Sequence, residues 1–228
     1  LARHVIGVLP GIKRPAICAQ LPTASSNSYL LDVGGNVDCT AEQLVQFAYM
    51  GSSLVHALDP ASPNRVQALS LGGEAGKGNR AVNESVKLIE QLDGIDFRGR
   101  IEGDQLLAGK ADVIYCDGFV GNVALKACEG TARFIMRGIK EGFKKNLLTK
   151  FCALFMLPVI GPIKKRIDPA RYNGASLLGL NGIVIKSHGN ANILSYMYAI
   201  EEAILEVEKN IPEEISQSVH EALTKDAE

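Results

Sequence analysis

Several common functional signatures are missing from this 228-residue sequence. The formal net charge of −1 lacks the basic excess of nucleic-acid-binding proteins, so no nucleic-acid partner is predicted. The five cysteines form no C-x-x-C pair, which favours reduced thiols in a cytoplasmic protein over disulfides or a zinc site. We also find no apolar run of the ~20 residues that a membrane span needs.

Nucleotide-binding fingerprints are missing as well. The glycine-rich turn around Lys77 fails the P-loop pattern, because Leu71 stands where its first glycine belongs and Gly78 follows the lysine. No G-x-G-x-x-G opens any predicted helix, so a dinucleotide site is not indicated. The sequence therefore predicts no cofactor and no bound metal.

Short apolar, strand-like runs alternate with helical stretches along most of the chain. Thr40 forms a predicted capping box with Gln43, and the helix after Asn79 has apolar residues at helical spacing. The predicted strands are 16–21, 29–33, 66–71, 95–101, 113–116 and 183–186, and the first two form either a β-hairpin or two neighbouring strands. This alternation is typical of βαβ units, so we predict one α/β domain over residues 1–228 with a mostly parallel sheet.

A turn containing Gly-Asn follows four of these strands and precedes a helix each time. The four turns are 32–36, 71–79, 117–122 and 187–190. In a parallel sheet such turns meet at one edge, and their N–H groups at helix starts favour anions. The phosphate- or substrate-binding candidates are Gly34, Gly35, Asn36, Gly76, Gly78, Asn79, Asp117, Gly118 and Gly121.

Three side chains in these turns are candidates for the chemistry. Lys77 suits a phosphate or carboxylate, although a solvated loop lysine would look the same. Asn122 either caps its helix or donates to a ligand, whereas capping is the simpler interpretation for Asn36. His188 is the only histidine in a glycine-rich turn after a strand. Cys116 is interpreted as a buried strand residue, because no histidine lies near it in sequence.

Residues 147–167 break the alternation. They contain the apolar run FCALFMLPVIG, which is flanked by Lys144, Lys145 and Lys150 on one side and by Lys164, Lys165 and Arg166 on the other. Eleven helical residues rise only about 16–17 Å, too little to span a bilayer. We predict a helical hairpin over 144–168 that protrudes from the domain and lies on an anionic membrane surface, with packing in the core or against a second subunit as the alternative.

Several motifs together resemble a known family. DVGGNVDC, KGN, CDGFVGNVALK, YNGASLLGLNGIVIKSHGN and the final helices are similar, in this order, to the phosphate acyltransferase family PlsX. That resemblance implies conversion of acyl–acyl carrier protein and inorganic phosphate to acyl phosphate and free carrier protein, an early step of bacterial phospholipid synthesis. It also implies a three-layer α/β/α fold similar to isocitrate and isopropylmalate dehydrogenases, in a homodimer at the membrane periphery.

The same resemblance implies specific catalytic residues. Lys77 matches the lysine of the family's KGN, Asn122 the asparagine of its DGFxGN, and His188 the histidine of its last HG. The family's first third, with D-A-M-G-G-D and S-x-G-N-T-G-A motifs, precedes the point where this chain starts. We therefore expect the chain alone to expose an unpaired sheet edge and to be unstable unless a partner or that segment completes it.

Two rival functions stay open at this level. One is a nicotinamide-dependent dehydrogenase or decarboxylase on the same fold, although its fingerprint and its metal-binding carboxylates are not found. The other is a non-catalytic relative that only binds acyl carrier protein or dimerises. For the acyltransferase, the reaction needs no Ser-His-Asp triad, because phosphate, with a second pKa of about 6, is already largely a dianion at neutral pH.

Overall fold

The computed structural model describes residues 1–24, 27–74, 76–189 and 191–224, with side chains up to residue 221. Asn190, at the end of the fourth predicted turn, lies outside the described residues. The strands are β1 (Ala16–Pro22), β2 (Asn27–Leu31), β3 (Arg65–Leu69), β4 (Asp96–Ile101), β5 (Val113–Tyr115), β6 (Ala175–Leu178) and β7 (Ile185–Lys186). The helices are α1 (Ala2–Val5), α2 (Ala41–Leu58), α3 (Arg80–Ile89), α4 (Gly118–Lys144), α5 (Leu147–Ile167), α6 (Ile193–Glu208) and α7 (Ile211–Thr224).

All seven strands belong to one sheet in the order β4-β3-β5-β2-β1-β6-β7. The pairs β4–β3, β3–β5 and β5–β2 are parallel, but β2–β1, β1–β6 and β6–β7 are antiparallel. The prediction of a mostly parallel sheet is therefore wrong for one half of it, and the sheet is mixed. Short connections explain two of the three antiparallel pairs, because β1–β2 and β6–β7 are joined by too few residues for the crossover that parallel pairing requires.

Helices cover both faces of the sheet. On one face α2 packs with α3 and α7, and its Leu44, Phe47 and Met50 are fully buried. The capping box predicted for Thr40 and Gln43 starts this helix. On the other face, alternate residues of β1 and the first turns of α4 form a second apolar cluster. Burial on both faces makes this an α/β fold, as the sequence predicted.

The predicted hairpin over 144–168 has a different form. Residues 147–167 form one continuous helix, α5, despite Pro158 and Pro162 within it. The chain turns just before it, at residues 145–146, because Asn146 and Thr149 form a capping box that starts a new helix. No residue of α5, described in full, is buried. By length and composition alone, the stretch Leu147–Tyr172 is long and apolar enough to cross a membrane, so the expectation of an apolar run too short for this is wrong.

Candidate active site

Asp32 organises the first Gly-Asn turn from inside. Its side chain is fully buried, and its Oδ1 atom accepts hydrogen bonds from the N–H groups of Ile17 (2.9 Å) and Gly35 (2.8 Å). The other oxygen accepts from the backbone N–H (2.6 Å) and the side-chain amide (2.8 Å) of Asn36. The N–H groups of Gly35 and Asn36, which were predicted to bind phosphate, thus already donate to the Asp32 carboxylate. Asn36, which also donates to the Pro15 carbonyl, caps no helix here.

The first and third turns touch through two glycines at the start of α4. A Cβ atom on Gly121 would lie 1.9 Å from the carbonyl oxygen of Asp32, and one on Gly118 would lie 2.6 Å from that of Asn36. The Gly118 N–H donates to this same Asn36 oxygen at 2.7 Å. Both glycines are therefore required for helix α4 to begin directly against the first turn. Their role in this structure is close packing.

The second turn joins the same cluster through Asn79, but its lysine points elsewhere. Asn79 caps α3 by accepting from the Val82 N–H, and its amide donates to Asp117 at 3.4 Å. Lys77, flanked by Gly76 and Gly78, forms an ion pair with Glu74 at 2.7 Å, and both side chains are largely exposed. The predicted meeting of the turns is thus observed for Asn79 and Asp117. The assignment of Lys77 to phosphate stays a prediction.

A cleft of about 480 Å³ lies beside these turns, between the sheet and α4. Its floor is apolar and includes Ile17, Ala19 and Leu21, which alternate along one face of β1. Four basic side chains line it as well, and we call them the basic rim: Lys126, Arg166, Lys186 and His188. The cleft therefore combines an apolar interior with cationic groups at its edge, as a site for an amphiphilic anion requires.

Asn122 faces this cleft from α4. The cap of α4 is Asp117, which accepts the Val120 N–H at 2.9 Å, so the capping alternative for Asn122 is wrong. Asn122 is the fifth residue of the helix and is exposed. Gly34, with φ of +117°, lies against it, since a Cβ on that glycine would be 3.7 Å from the Asn122 side chain. Because the Asn122 side chain is exposed and lines the cleft, its amide is available to a ligand.

His188 reaches the cleft from the end of β7 and contacts Glu129. Its Nε2 atom lies 3.3 Å from Oε1 of Glu129, whose other oxygen pairs with Lys126 (3.1 Å) and Arg133 (3.4 Å). The backbone N–H of His188 donates to the buried side chain of Asn173 at 2.9 Å. Side chain and backbone are therefore both held, which fixes the position of this histidine.

The two predicted catalytic residues share the cleft but lie at different points along it. Glu129, the partner of His188, follows Asn122 by seven residues, so the two positions are separated by about 10 Å of helix rise. The proposed roles of Asn122 and His188 are thus separate hypotheses. Sequence reasoning missed Lys126, Glu129 and Asn173. The spacing of Asn122, Lys126, Glu129 and Arg133 on one helix face was the available signal.

The cysteine next to the third turn does not serve as a nucleophile in this arrangement. Cys116 is buried, and desolvation raises the pKa of its thiol well above the ordinary value, with the nearby Asp117 and Asp32 adding to the effect. A thiol that stays protonated is a poor nucleophile. The interpretation of Cys116 as a buried strand-end residue agrees with this burial.

Known proteins resemble this chain over nearly its whole length. A phosphate acyltransferase of Legionella pneumophila is 45% identical over 98% of the chain, and one of Hydrogenovibrio crunogenus is 48% identical over 96%. The chain spans 66% and 65% of the lengths of these two curated relatives. Most of each relative is therefore represented here.

Solved structures support the fold. The EutD phosphotransacetylase of Staphylococcus aureus superposes with a TM-score of 0.54 over 95% of this chain and 58% of its own. Identity is 17%, so this similarity concerns the fold alone.

The family described as "Fatty acid synthesis protein" matches residues 1–214. This match covers more than half of the chain and shows that the chain belongs to that family.

Proposed function

We propose that the protein transfers an acyl group from a carrier thioester to inorganic phosphate, forming acyl phosphate and a free thiol. The observation that carries the proposal is the cleft beside Asn122, which pairs an apolar floor on β1 with the basic rim. Both halves of an acyl phosphate, an alkyl chain and an anionic head, find complementary surfaces there. The names of the curated relatives point to the same reaction.

The chemistry of the reaction suits these groups. An oxygen of the phosphate dianion attacks the thioester carbonyl carbon, the carbon–sulfur bond breaks, and the departing thiolate takes up the proton that the phosphate carried. The nucleophile arrives charged, so binding and charge stabilisation are the main tasks left to the protein. Lys126 and Lys186 offer fixed positive charges toward phosphate, and the Asn122 amide is positioned to donate to the oxyanion.

Lys77 enters the proposal from the neighbouring turn. Its turn is connected to α4 through the Asn79–Asp117 hydrogen bond, and this connection supports a role for Lys77 near the start of the helix. The ion pair with Glu74 is exposed and therefore weak, so a phosphate dianion can compete for this lysine. The role assigned to it is the capture of phosphate at the mouth of the site.

The test is a coupled measurement on the full-length protein with acyl–acyl carrier protein. Free thiol is followed with a thiol reagent, and acyl phosphate is quantified by mass spectrometry after its separation from the remaining acyl–acyl carrier protein. Phosphate-dependent release of equal amounts of both products is expected. Thiol release that does not depend on phosphate would make the protein a thioesterase and contradict the proposal. Tight binding of NAD in a fluorescence titration would favour the dehydrogenase alternative.

The partners and the finer architecture belong to the same proposal. Acyl carrier protein and phosphate are the substrates that it requires, and a homodimer and an isocitrate dehydrogenase-like arrangement of the whole protein accompany it. Helices α4 and α5 are proposed to project as a hairpin onto the cytoplasmic face of the membrane. The support is the exposed apolar surface of α5, with Phe151 62% and Phe155 69% exposed, between basic flanks.

A further inference from the structure

We propose that the cleft between β1 and α4 is the binding site for the alkyl chain of the acyl group, with the anionic head at the basic rim. This inference rests on the proposed function and adds to it the position of the chain and the side chains that limit its length. The ligand class is a single unbranched alkyl chain carrying a phosphate or phosphonate group.

The walls of the cleft fit a chain rather than a bulky ring system. The floor is one face of β1, where Ile17, Ala19 and Leu21 alternate, and Leu125 and Ala132 of α4 form the facing wall. Ala19 and Ala132 are small, and they leave the space that a methylene chain fills. Burial of each methylene in such an environment contributes favourably and without directional requirements.

The length of this floor also limits the length of alkyl chain that it can bind. Ile17 and Leu21 are four residues apart on a strand, which corresponds to about 13 Å. An extended alkyl chain advances roughly 1.3 Å per carbon, given a carbon–carbon bond of about 1.5 Å. The floor therefore matches a segment of about ten carbons, and longer chains must extend beyond β1.

The basic rim supplies charge complementarity for the head. Lys126 and His188 are each about half exposed at the edge of the cleft, and Lys186 is exposed. The carboxylate of Glu129 is 89% buried and already contacts Lys126, Arg133 and His188. Its single negative charge is exceeded by the charges of Lys126 and Arg133, so the net charge of this group of side chains is positive. An anion meets a net cationic edge above an apolar floor.

The experiment titrates the protein with alkyl phosphonates of six to sixteen carbons below their micelle concentrations, using calorimetry. Affinity should rise by up to about fourfold per added methylene and then level off near ten to twelve carbons. Ala132→Leu should move this plateau to shorter chains and lower the affinity for dodecylphosphonate by about tenfold or more, since each displaced methylene costs about fourfold. Hexylphosphonate should bind the variant nearly as well as the wild type.

Matched variants separate the cleft from other apolar surfaces. Ala127→Leu adds the same side chain to an exposed position of α4 outside the cleft and should change nothing. Lys186→Ala should weaken every chain length by a similar factor, and decanol should bind more weakly than decylphosphonate. If Ala132→Leu melts early, Ala175→Leu provides a second filling of the same cleft.

Several results would overturn the inference. Affinity that increases without a plateau, or that Ala127→Leu lowers as much as Ala132→Leu does, would assign binding to a surface such as α5. Equal affinity for decanol and decylphosphonate would remove the role of the basic rim, and displacement by anionic vesicles would identify lipid as the occupant. Acyl transfer with an unchanged chain-length preference in Ala132→Leu overturns this inference alone. Chain binding as expected, without phosphate-dependent turnover, contradicts the proposed function alone.

Discussion

The Oε1 atom of Glu129 lies 3.3 Å from Nε2 of His188, and this contact links the middle of α4 to the end of β7. The same carboxylate pairs with Lys126 and Arg133. Glu129 is thus a single negative charge among three cationic or titratable groups at the edge of the cleft. Its presence limits the positive potential available to an incoming phosphate and holds the surrounding side chains in place.

Removing this charge should strengthen phosphate binding while weakening the order of the site. We expect Glu129→Gln to lower the KM for phosphate by up to about fivefold, comparable to the roughly 1 kcal/mol of an ion pair whose cationic members are about half exposed. The difference should shrink as salt is added, because salt screens these half-exposed cations and the incoming phosphate. Steady-state kinetics at several salt concentrations measure this. Glu141→Gln, on an exposed position of the same helix, is the control, and equal behaviour of the two variants would contradict the assignment.

Replacing Asn122 distinguishes a ligand donor from a structural residue. Asn122→Ala should leave the melting temperature nearly unchanged, with an effect within about 0.5 kcal/mol, because the side chain is exposed and caps nothing. Turnover should fall by roughly 10²–10³ if the amide donates to the oxyanion. Asp117→Ala removes the true cap and should cost about 1 kcal/mol of stability. Normal turnover in Asn122→Ala would place the oxyanion donor elsewhere.

Lys77 should act on phosphate rather than on folding. Lys77→Ala removes a positive charge whose partner, Glu74, is itself exposed, so we expect a change in stability of less than about 1 kcal/mol. The KM for phosphate should rise and kcat should fall, because the charge facing the dianion is lost. Lys87→Ala, on α3, serves as the control for the general loss of a lysine. An unchanged KM for phosphate would show that Lys77 is a solvated turn residue.

Two glycines of α4 should respond in opposite directions to the same substitution. Gly121→Ala places a methyl group 1.9 Å from the Asp32 carbonyl oxygen and should lower the free energy of unfolding by about 3 kcal/mol, since backbone must move. Gly130→Ala meets no atom within 4 Å and should stabilise the helix by roughly 0.5–1 kcal/mol. Denaturant unfolding of both variants tests the packing of the first turn against α4. Equal effects would contradict it.

The buried carboxyl group of Glu206, on α6, should make the free energy of unfolding depend on pH. Burial raises the pKa of Glu206 to about 7, with Glu202 adding to the effect. The folded state then binds more protons than the unfolded state between about pH 4.5 and 7, so the free energy of unfolding should fall as pH rises through this range. Glu206→Gln should remove most of that decline and be more stable than the wild type at pH 8.

The size of this effect follows from the shift. A pKa raised from 4.5 to about 7 corresponds to roughly 3–4 kcal/mol. Denaturant titrations at pH 5, 6, 7 and 8 measure it. Glu208→Gln, exposed on the same helix, should keep the wild-type slope. A parallel pH dependence in Glu206→Gln and wild type would show that Glu206 is not the responsible group.

The exposed face of α5 should control membrane attachment. Phe151 and Phe155 pack edge to face at 5.1 Å between ring centroids, on a helix without buried residues. Changing both to Glu should release the protein from anionic vesicles in a sedimentation assay without changing its melting temperature. Leu71→Glu alters an apolar residue away from α5 that is more exposed than either phenylalanine, and it should not affect binding. Undiminished vesicle binding of the double variant would contradict the membrane role.

Local chemistry was readable from the sequence because short-range rules fix it. The capping box of Thr40 and Gln43, the cap at Asn79 and the strands around residues 66–71 and 95–101 occur where their patterns predicted them. The family was recognisable for the same reason, since its motifs are short and occur in order. The strand 175–178 was missed, because the sequence there resembles a glycine-rich loop and becomes a strand only by pairing with β1.

The tertiary structure determined the neighbours of each turn residue, which the shared turn motif does not specify. Asn36, Asn79, Asn122 and His188 all lie in turns that follow a predicted strand, but packing gives each one different neighbours. Asp32 occupies the N–H groups of the first turn, and Asp117 rather than Asn122 caps α4. These outcomes depend on contacts between residues far apart in sequence, such as Gly121 with Asp32 and His188 with Glu129. Periodicity and caps report on neighbours along the chain, whereas the cleft and its basic rim exist only once separate elements have packed together.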